Sequence, residues 1–221
     1  MELLIICIVI AYAVILLHFY KASKKDCINI ADVVQSSGQL SILNERHTGS
    51  LVAMCIPVLL VGAQNNDWLQ LRFTPEIHVA ALTFILGIAA FIIALFTAIK
   101  TIKKGVPAHF GQEKMEKYIF IRTIFLVVYE IFFRAVLLQV SLQFVPVPIA
   151  VAINVILYVG AHAFSTRQEF WGSLPFGVLL CWLTLFSGSV WPAVLVHALL
   201  ALPYDLVLLS TAKPITKTIP S

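Results

Sequence analysis

YIFIRTIFLVVYEIFFRAVLLQVSLQF, residues 118–144, is an apolar run interrupted by three charges, Arg122, Glu130 and Arg134. A helix rising 1.5 Å per residue needs about 20 residues to cross a hydrocarbon core of roughly 30 Å, so this run is long enough to span a membrane. Two of its charges then fall inside the bilayer. Working outward, comparable runs lie at 2–20, 48–64, 79–99, 149–165, 174–188 and 189–210. The expected fold is therefore all-α, a polytopic membrane helix bundle of about seven transmembrane helices. The composition agrees: 60% of the 221 residues are hydrophobic and 12% charged, which excludes an ordinary soluble domain and a disordered chain. Cys7, Cys27, Cys55 and Cys181 show no CxxC or CxH spacing, so a disulfide scaffold or cysteine metal site is not expected. Nucleic acid is not an expected partner; the lipid bilayer is.

The connections order the spans. Val145–Pro148 is a tight apolar corner that makes a hairpin of the fourth and fifth spans, whereas 21–47 and 100–117 are polar and lysine-rich. Lys and Arg number four in 21–47, one in 65–78, five in 100–117, none in 145–148, one in 166–173 and two after 210. Alternate connections thus carry twelve against one. By the positive-inside bias the N-terminus is expected outside a cell membrane and the C-terminus in the cytoplasm. The first run, followed by Lys21, Lys24 and Lys25 and without a small-residue cleavage site, reads as a retained anchor. No separate soluble domain is expected. The expected division is 1–117 for the first three spans with their cytoplasmic loops, 118–210 for a functional core and 211–221 for a short tail.

Ionisable groups inside a bilayer need a partner or a water-filled cavity, which makes them the candidates for function. They are Glu130, Arg134, His162, His197 and Asp205. Arg122 and Asp205 are expected near the cytoplasmic surface, where the acid would stay hydrated. Glu130 is eight residues from Arg122 and His197 eight from Asp205, so on straight helices both lie about 12 Å below that surface. His162, five residues from Arg167, lies roughly 7–8 Å below it. Three polar groups from three spans therefore reach similar depth. Glu130 and Arg134, four apart, suit a carboxylate–guanidinium pair. A carboxylate beside a neutral histidine can take a proton from water and deliver hydroxide to a peptide carbonyl while a second histidine stabilises the oxyanion. The chemistry this supports is intramembrane peptide hydrolysis with no cofactor. His and Glu could also hold zinc, but no HExxH spacing is present. Bis-histidine haem between His162 and His197 is weaker still. No GxSxG supports a serine hydrolase, and Ser187 and Ser189 belong to a turn.

The strings YEIFFRAVLL, YVGAHAFS and SGSVWPAVLVHALLA, carrying Glu130 and Arg134, Tyr158 and His162, and His197, resemble the three ordered motifs of the CPBP family. This is the CAAX-protease and bacteriocin-processing group, also called Abi, of glutamic-type intramembrane endopeptidases, with the pattern EExxxR, FxxxH and HxxxN/D. The resemblance covers about residues 118–205. It implies a membrane endopeptidase acting on a membrane-associated protein or peptide, at a prenylated C-terminal tail, a sorting signal or a bacteriocin-type precursor. It further implies Glu130, His162 and His197 as catalytic residues, with Arg134, Tyr129, Tyr158 and Asp205 supporting. Two positions depart. The family's glutamate pair falls on Tyr129 and Glu130, so the first glutamate, the usual water-activating base, is replaced. The final Asn or Asp falls on Ala201, with Asp205 one turn further as the substitute. Two readings follow: an active variant in which Glu130 serves as base with His162, or an inactive scaffold or regulator. The two retained histidines favour the enzyme.

Overall fold

The structure, a computed structural model, describes residues 1–35, 39–64, 76–103, 109–110, 112–211 and 213–214. Helices run in the order α1 (Glu2–Ser23), α2 (Ile30–Gln35), α3 (Leu40–Gln64), α4 (Ile77–Ile102), α5 (Gln112–Glu130), a π-helical segment (Ile131–Leu137), α6 (Leu138–Leu142), α7 (Val147–Ala161), α8 (Arg167–Ser187) and α9 (Trp191–Thr211). Among the described residues the remaining regular structure is a two-residue parallel pairing of His109–Phe110 with Lys213–Pro214. The fold is an all-α bundle. Among the described residues, six helical spans are long and apolar enough to cross a membrane, and α7 is a shorter apolar helix.

The element boundaries follow local chemistry. Pro146 sits in the N-cap position of α7 and Pro148 in its first turn, where a missing N–H costs nothing. Thr166 caps α8 by accepting the Glu169 backbone N–H at 3.2 Å, the Thr-x-x-Glu arrangement of a capping box. That cap starts α8 at Arg167, earlier than the apolar run at 174 suggests. Gly188, at φ 61°, ends it in the left-handed conformation that favours glycine. The Ser187–Ser189 segment turns as expected, with Ser187 Oγ donating to the Ser189 carbonyl at 2.9 Å. α3 likewise begins at Leu40 rather than 48, because Arg46 and His47 in its early turns are buried inside the bundle.

One span is central. In Lys114–Leu142, 72% of the apolar window is buried, against 28–39% in the other five. All seven residues of the π segment are buried. Around it pack α1, α3, α7 and α9, with Ile15, Met54, Phe132, Tyr158 and Val194 in the same apolar cluster. α4 lies at the periphery against α9 and exposes Phe84, Ile85, Ile92 and Phe96, an apolar face suited to lipid.

One end of the bundle gathers the lysine-rich connections. Cys27, Ile30 and Leu43 pack there with Tyr118 and Leu208, and Ile102 and Met115 join them. Asn29 Nδ2 donates to Glu169 at 3.2 Å, bringing in the 166–173 connection. The four basic segments thus share an end, as the alternation requires. Arg72, the lone basic residue of 65–78, lies outside the described residues, as does 215–221 of the expected tail.

His162 departs from the straight-helix expectation. The apolar run to 165 does not continue as helix: α7 ends at Ala161, His162 is its C-cap, and Ser165 N donates back to the His162 carbonyl at 3.0 Å. Thr166 must begin a new cap, so the chain turns here. The depth derived from Arg167 along one helix therefore does not apply.

Candidate active site

Glu130 closes α5, and both of its oxygens are engaged. Oε2 accepts Arg134 Nε at 3.0 Å, the expected i,i+4 pair, with both side chains fully buried. Oε1 lies 2.6 Å from His197 Nδ1 on α9. The partner expected for Glu130 was His162; the structure instead supplies His197. An ionised carboxylate only accepts, so this contact places the proton on Nδ1 and leaves His197 Nε2 with its lone pair.

Arg134 is held by α7 and α8 as well as by Glu130. Nη1 donates to Asn154 Oδ1 on α7 and contacts Cys181 Sγ on α8 at 3.1 Å, while the guanidinium lies 4.5 Å from the Tyr158 ring centroid. Asn154 Nδ2 donates to the Phe133 carbonyl at 2.5 Å. That carbonyl also accepts the Leu138 N–H, a bond spanning five residues within the π segment. The π segment, the asparagine and the arginine thus form one connected network that ends on Glu130.

Tyr158 is the wall shared by the two histidines. Its ring centroid is 4.9 Å from that of His162 and 6.4 Å from that of His197, so the imidazoles lie at most about 11 Å apart, within reach of one water and a substrate carbonyl. His162 Nδ1 lies 2.9 Å from the Tyr158 carbonyl. A carbonyl can only accept, so His162 also keeps a bare Nε2. Tyr129 is buried among Phe125, Phe133, Tyr158 and His197, with ring centroids 5.3, 4.6, 5.8 and 6.1 Å away. Ala201 packs against the same apolar cluster.

Asp205 is placed elsewhere. It is 3% exposed rather than hydrated, accepting Tyr118 OH at 3.0 Å and Arg122 Nε at 3.2 Å. Arg122 Nη1 lies 3.3 Å from His47 Nε2, which also accepts Arg46 Nη2 at 2.8 Å. Arg46 Nη1 donates to the Ile28 carbonyl. Burial explains the correction: a carboxylate out of water needs the guanidinium, and this rung joins α5 to α9 near the basic end. Asp205 therefore bonds to Arg122 and Tyr118, while His197 bonds to Glu130.

Asn154, Arg46, His47 and Tyr118 join these networks without standing among the candidates of the sequence, and Cys181 joins as a contact of Arg134. Asn154 carried a signal, since Asn154, Tyr158 and His162 recur every four residues along one face. Among the described residues, no three His, Cys, Asp or Glu side chains group as metal ligands would. An apolar groove of about 430 Å³ between α4 and α9 takes in Leu195 and Leu199 but not His197.

Residues 116–202 match the family model described as type II CAAX prenyl endopeptidase Rce1-like. Over this segment the chain is similar to that CPBP-type family, in the part of the sequence that carries its three motifs. The match contains Tyr129, Glu130, Arg134, Asn154, Tyr158, His162, Cys181 and His197, and it ends before Asp205. No curated protein and no solved structure matches the chain.

Proposed function

We propose that the protein is an intramembrane endopeptidase of the CAAX-protease type, cleaving a peptide bond of a membrane-associated protein or peptide. The observation that carries this reading is the 2.6 Å contact between Glu130 and His197, which ties two motifs of the family segment together inside the bundle. Glu130 orients His197 and stabilises the imidazolium that forms on it. His197 Nε2 takes a proton from water, whose oxygen bonds to the scissile carbonyl carbon. His162 Nε2 accepts the water's second hydrogen and aims its lone pair. When the adduct collapses, the C–N bond breaks and the imidazolium returns its proton to the leaving amine. Purified protein in liposomes, incubated with peptides anchored through a prenylated cysteine near the C-terminus, should release a soluble fragment detectable by mass spectrometry. His162→Ala should reduce that release by about 10²–10⁴, the range for a lost proton-handling group. Equal release by the variant would overturn this role, and no release by the wild type would overturn the enzymatic reading.

We propose the cell membrane as the location, with the four basic segments in the cytoplasm and the N-terminus outside. Support comes from the twelve-to-one Lys and Arg asymmetry. A probe at Lys103→Cys should react with an impermeant maleimide only after permeabilisation, measured against the unsubstituted protein as background. Labelling in intact cells would reverse the orientation.

A further inference from the structure

We infer that the Tyr129 hydroxyl is an oxyanion donor of this site, which makes Tyr129 a further catalytic residue. The inference rests on the endopeptidase reading. Addition of water to a peptide carbonyl places negative charge on its oxygen, and that charge needs a preorganised N–H or O–H donor.

Four N–H donors of the site are committed. His197 Nδ1–H serves Glu130 and His162 Nδ1–H serves the Tyr158 carbonyl, so both Nε2 atoms are acceptors. Arg134 Nε serves Glu130 and Nη1 serves Asn154. Ala201 offers a methyl group. Two buried donors of this neighbourhood have no hydrogen-bond partner among the described residues: Tyr129 OH and Arg134 Nη2. The guanidinium of Arg134 is fully buried between Asn154, Cys181 and the Tyr158 ring. Tyr129, itself buried, borders the imidazole of His197 edge-on, at 6.1 Å and 73°.

The setting also argues against a packing role for the hydroxyl. Phe125, Tyr129 and Phe133 follow one another at i,i+4 spacing with successive ring contacts of 5.3 and 4.6 Å. A third phenylalanine would fill the same stripe. Burying a hydroxyl without a partner is unfavourable, and buried tyrosines ordinarily find one. A carbonyl oxygen turning into an oxyanion beside His197 supplies the missing acceptor. The bookkeeping is simple: the water proton passes to His197 Nε2, the carbonyl π pair moves to oxygen, and Tyr129 lends its hydrogen bond without giving up its proton.

The test uses full-length protein in liposomes and a quenched-fluorescent peptide bearing a prenylated cysteine near its C-terminus. Tyr129→Phe should lower kcat by about 10²–10³, the cost of one oxyanion donor, with KM changed less than about twofold because the donor acts after binding. Its melting temperature should not fall, since an unpartnered hydroxyl is removed. Adding Ala201→Asn to Tyr129→Phe should restore part of kcat by supplying an amide donor. An unimpaired kcat, or a rise in KM alone, would overturn the inference while leaving the endopeptidase standing. A drop in kcat that tracks a lower melting temperature and resists Ala201→Asn would assign the hydroxyl to packing and overturn it too. Absence of cleavage by the wild type would fell the endopeptidase reading and this inference together.

Discussion

Glu130→Gln lowers turnover by about four powers of ten, by analogy with removing the charge behind a catalytic imidazole. It lowers the melting temperature too, because the Arg134 guanidinium is left buried without its anion. The wild-type carboxylate accepts from two sides, His197 Nδ1 at 2.6 Å and Arg134 Nε at 3.0 Å. A glutamine has one oxygen and one NH2. If the oxygen faces Arg134, the NH2 faces His197 and forces the imidazole proton onto Nε2, where it blocks attack by water. If the oxygen faces His197, the NH2 opposes the guanidinium. Either orientation also removes the negative charge that would balance an imidazolium. Single-turnover rates with the prenylated-cysteine peptide read the effect, and His197→Ala should reach a similar floor because the two residues act as one unit. If the double variant lost the product of the two single losses, Glu130 and His197 would be acting independently and the pairing would carry no catalytic meaning.

Arg134→Met should be the most damaging single change to stability, at about 3–5 kcal/mol, because it leaves a buried carboxylate without its cation. The loss extends beyond the pair. Asn154 Oδ1 would lose its guanidinium donor, Tyr158 its cation, and the π segment its anchor through Asn154. Thermal unfolding in detergent, followed by loss of helical signal or by cysteine exposure at Cys181, measures it. Arg134→Met combined with Glu130→Gln should be closer to wild type than Arg134→Met alone, since the second change removes the stranded charge. Strictly additive losses would mean that the two groups do not neutralise each other in the folded protein.

The two changes act at opposite ends of one network. Glu130→Gln keeps shape and loses charge at the reacting end, whereas Arg134→Met keeps volume and loses the cation at the supporting end. An arginine buried this completely between three helices holds the carboxylate in one place, and such pre-organisation is what a carboxylate that orients a catalytic imidazole requires. The second ionic rung, Arg122 with Asp205, joins the same two helices α5 and α9 nearer the basic end. It ties the pair together independently of the reacting groups.

How much of this was written in the sequence divides along physical lines. Apolar runs of about 20 residues announce spans because a bilayer has a fixed thickness, and lysines and arginines announce which connections share an end because charge resists crossing. The Glu130–Arg134 pair was legible because four residues along a helix is a local relation, independent of every other element. The three motifs were legible in order and spacing, and the family match falls on that segment. The tertiary structure alone decided which imidazole meets Glu130. That choice depends on the rotation of α5 and α9 about their axes, and a helix apolar on all sides carries no sequence mark of its inward face. The π segment adds to the problem by shifting the phase of every residue after Glu130 relative to an ordinary helix. The depth expected for His162 rested on one helix running to Arg167, but a cap at Thr166 and a turn at 162–165 end the helix while the apolar run continues. Asp205 escaped its expected hydration because Arg122 and Tyr118, 83 and 87 residues away in the chain, close over it. Local relations survive in one dimension, and contacts between helices require the packed bundle to select them.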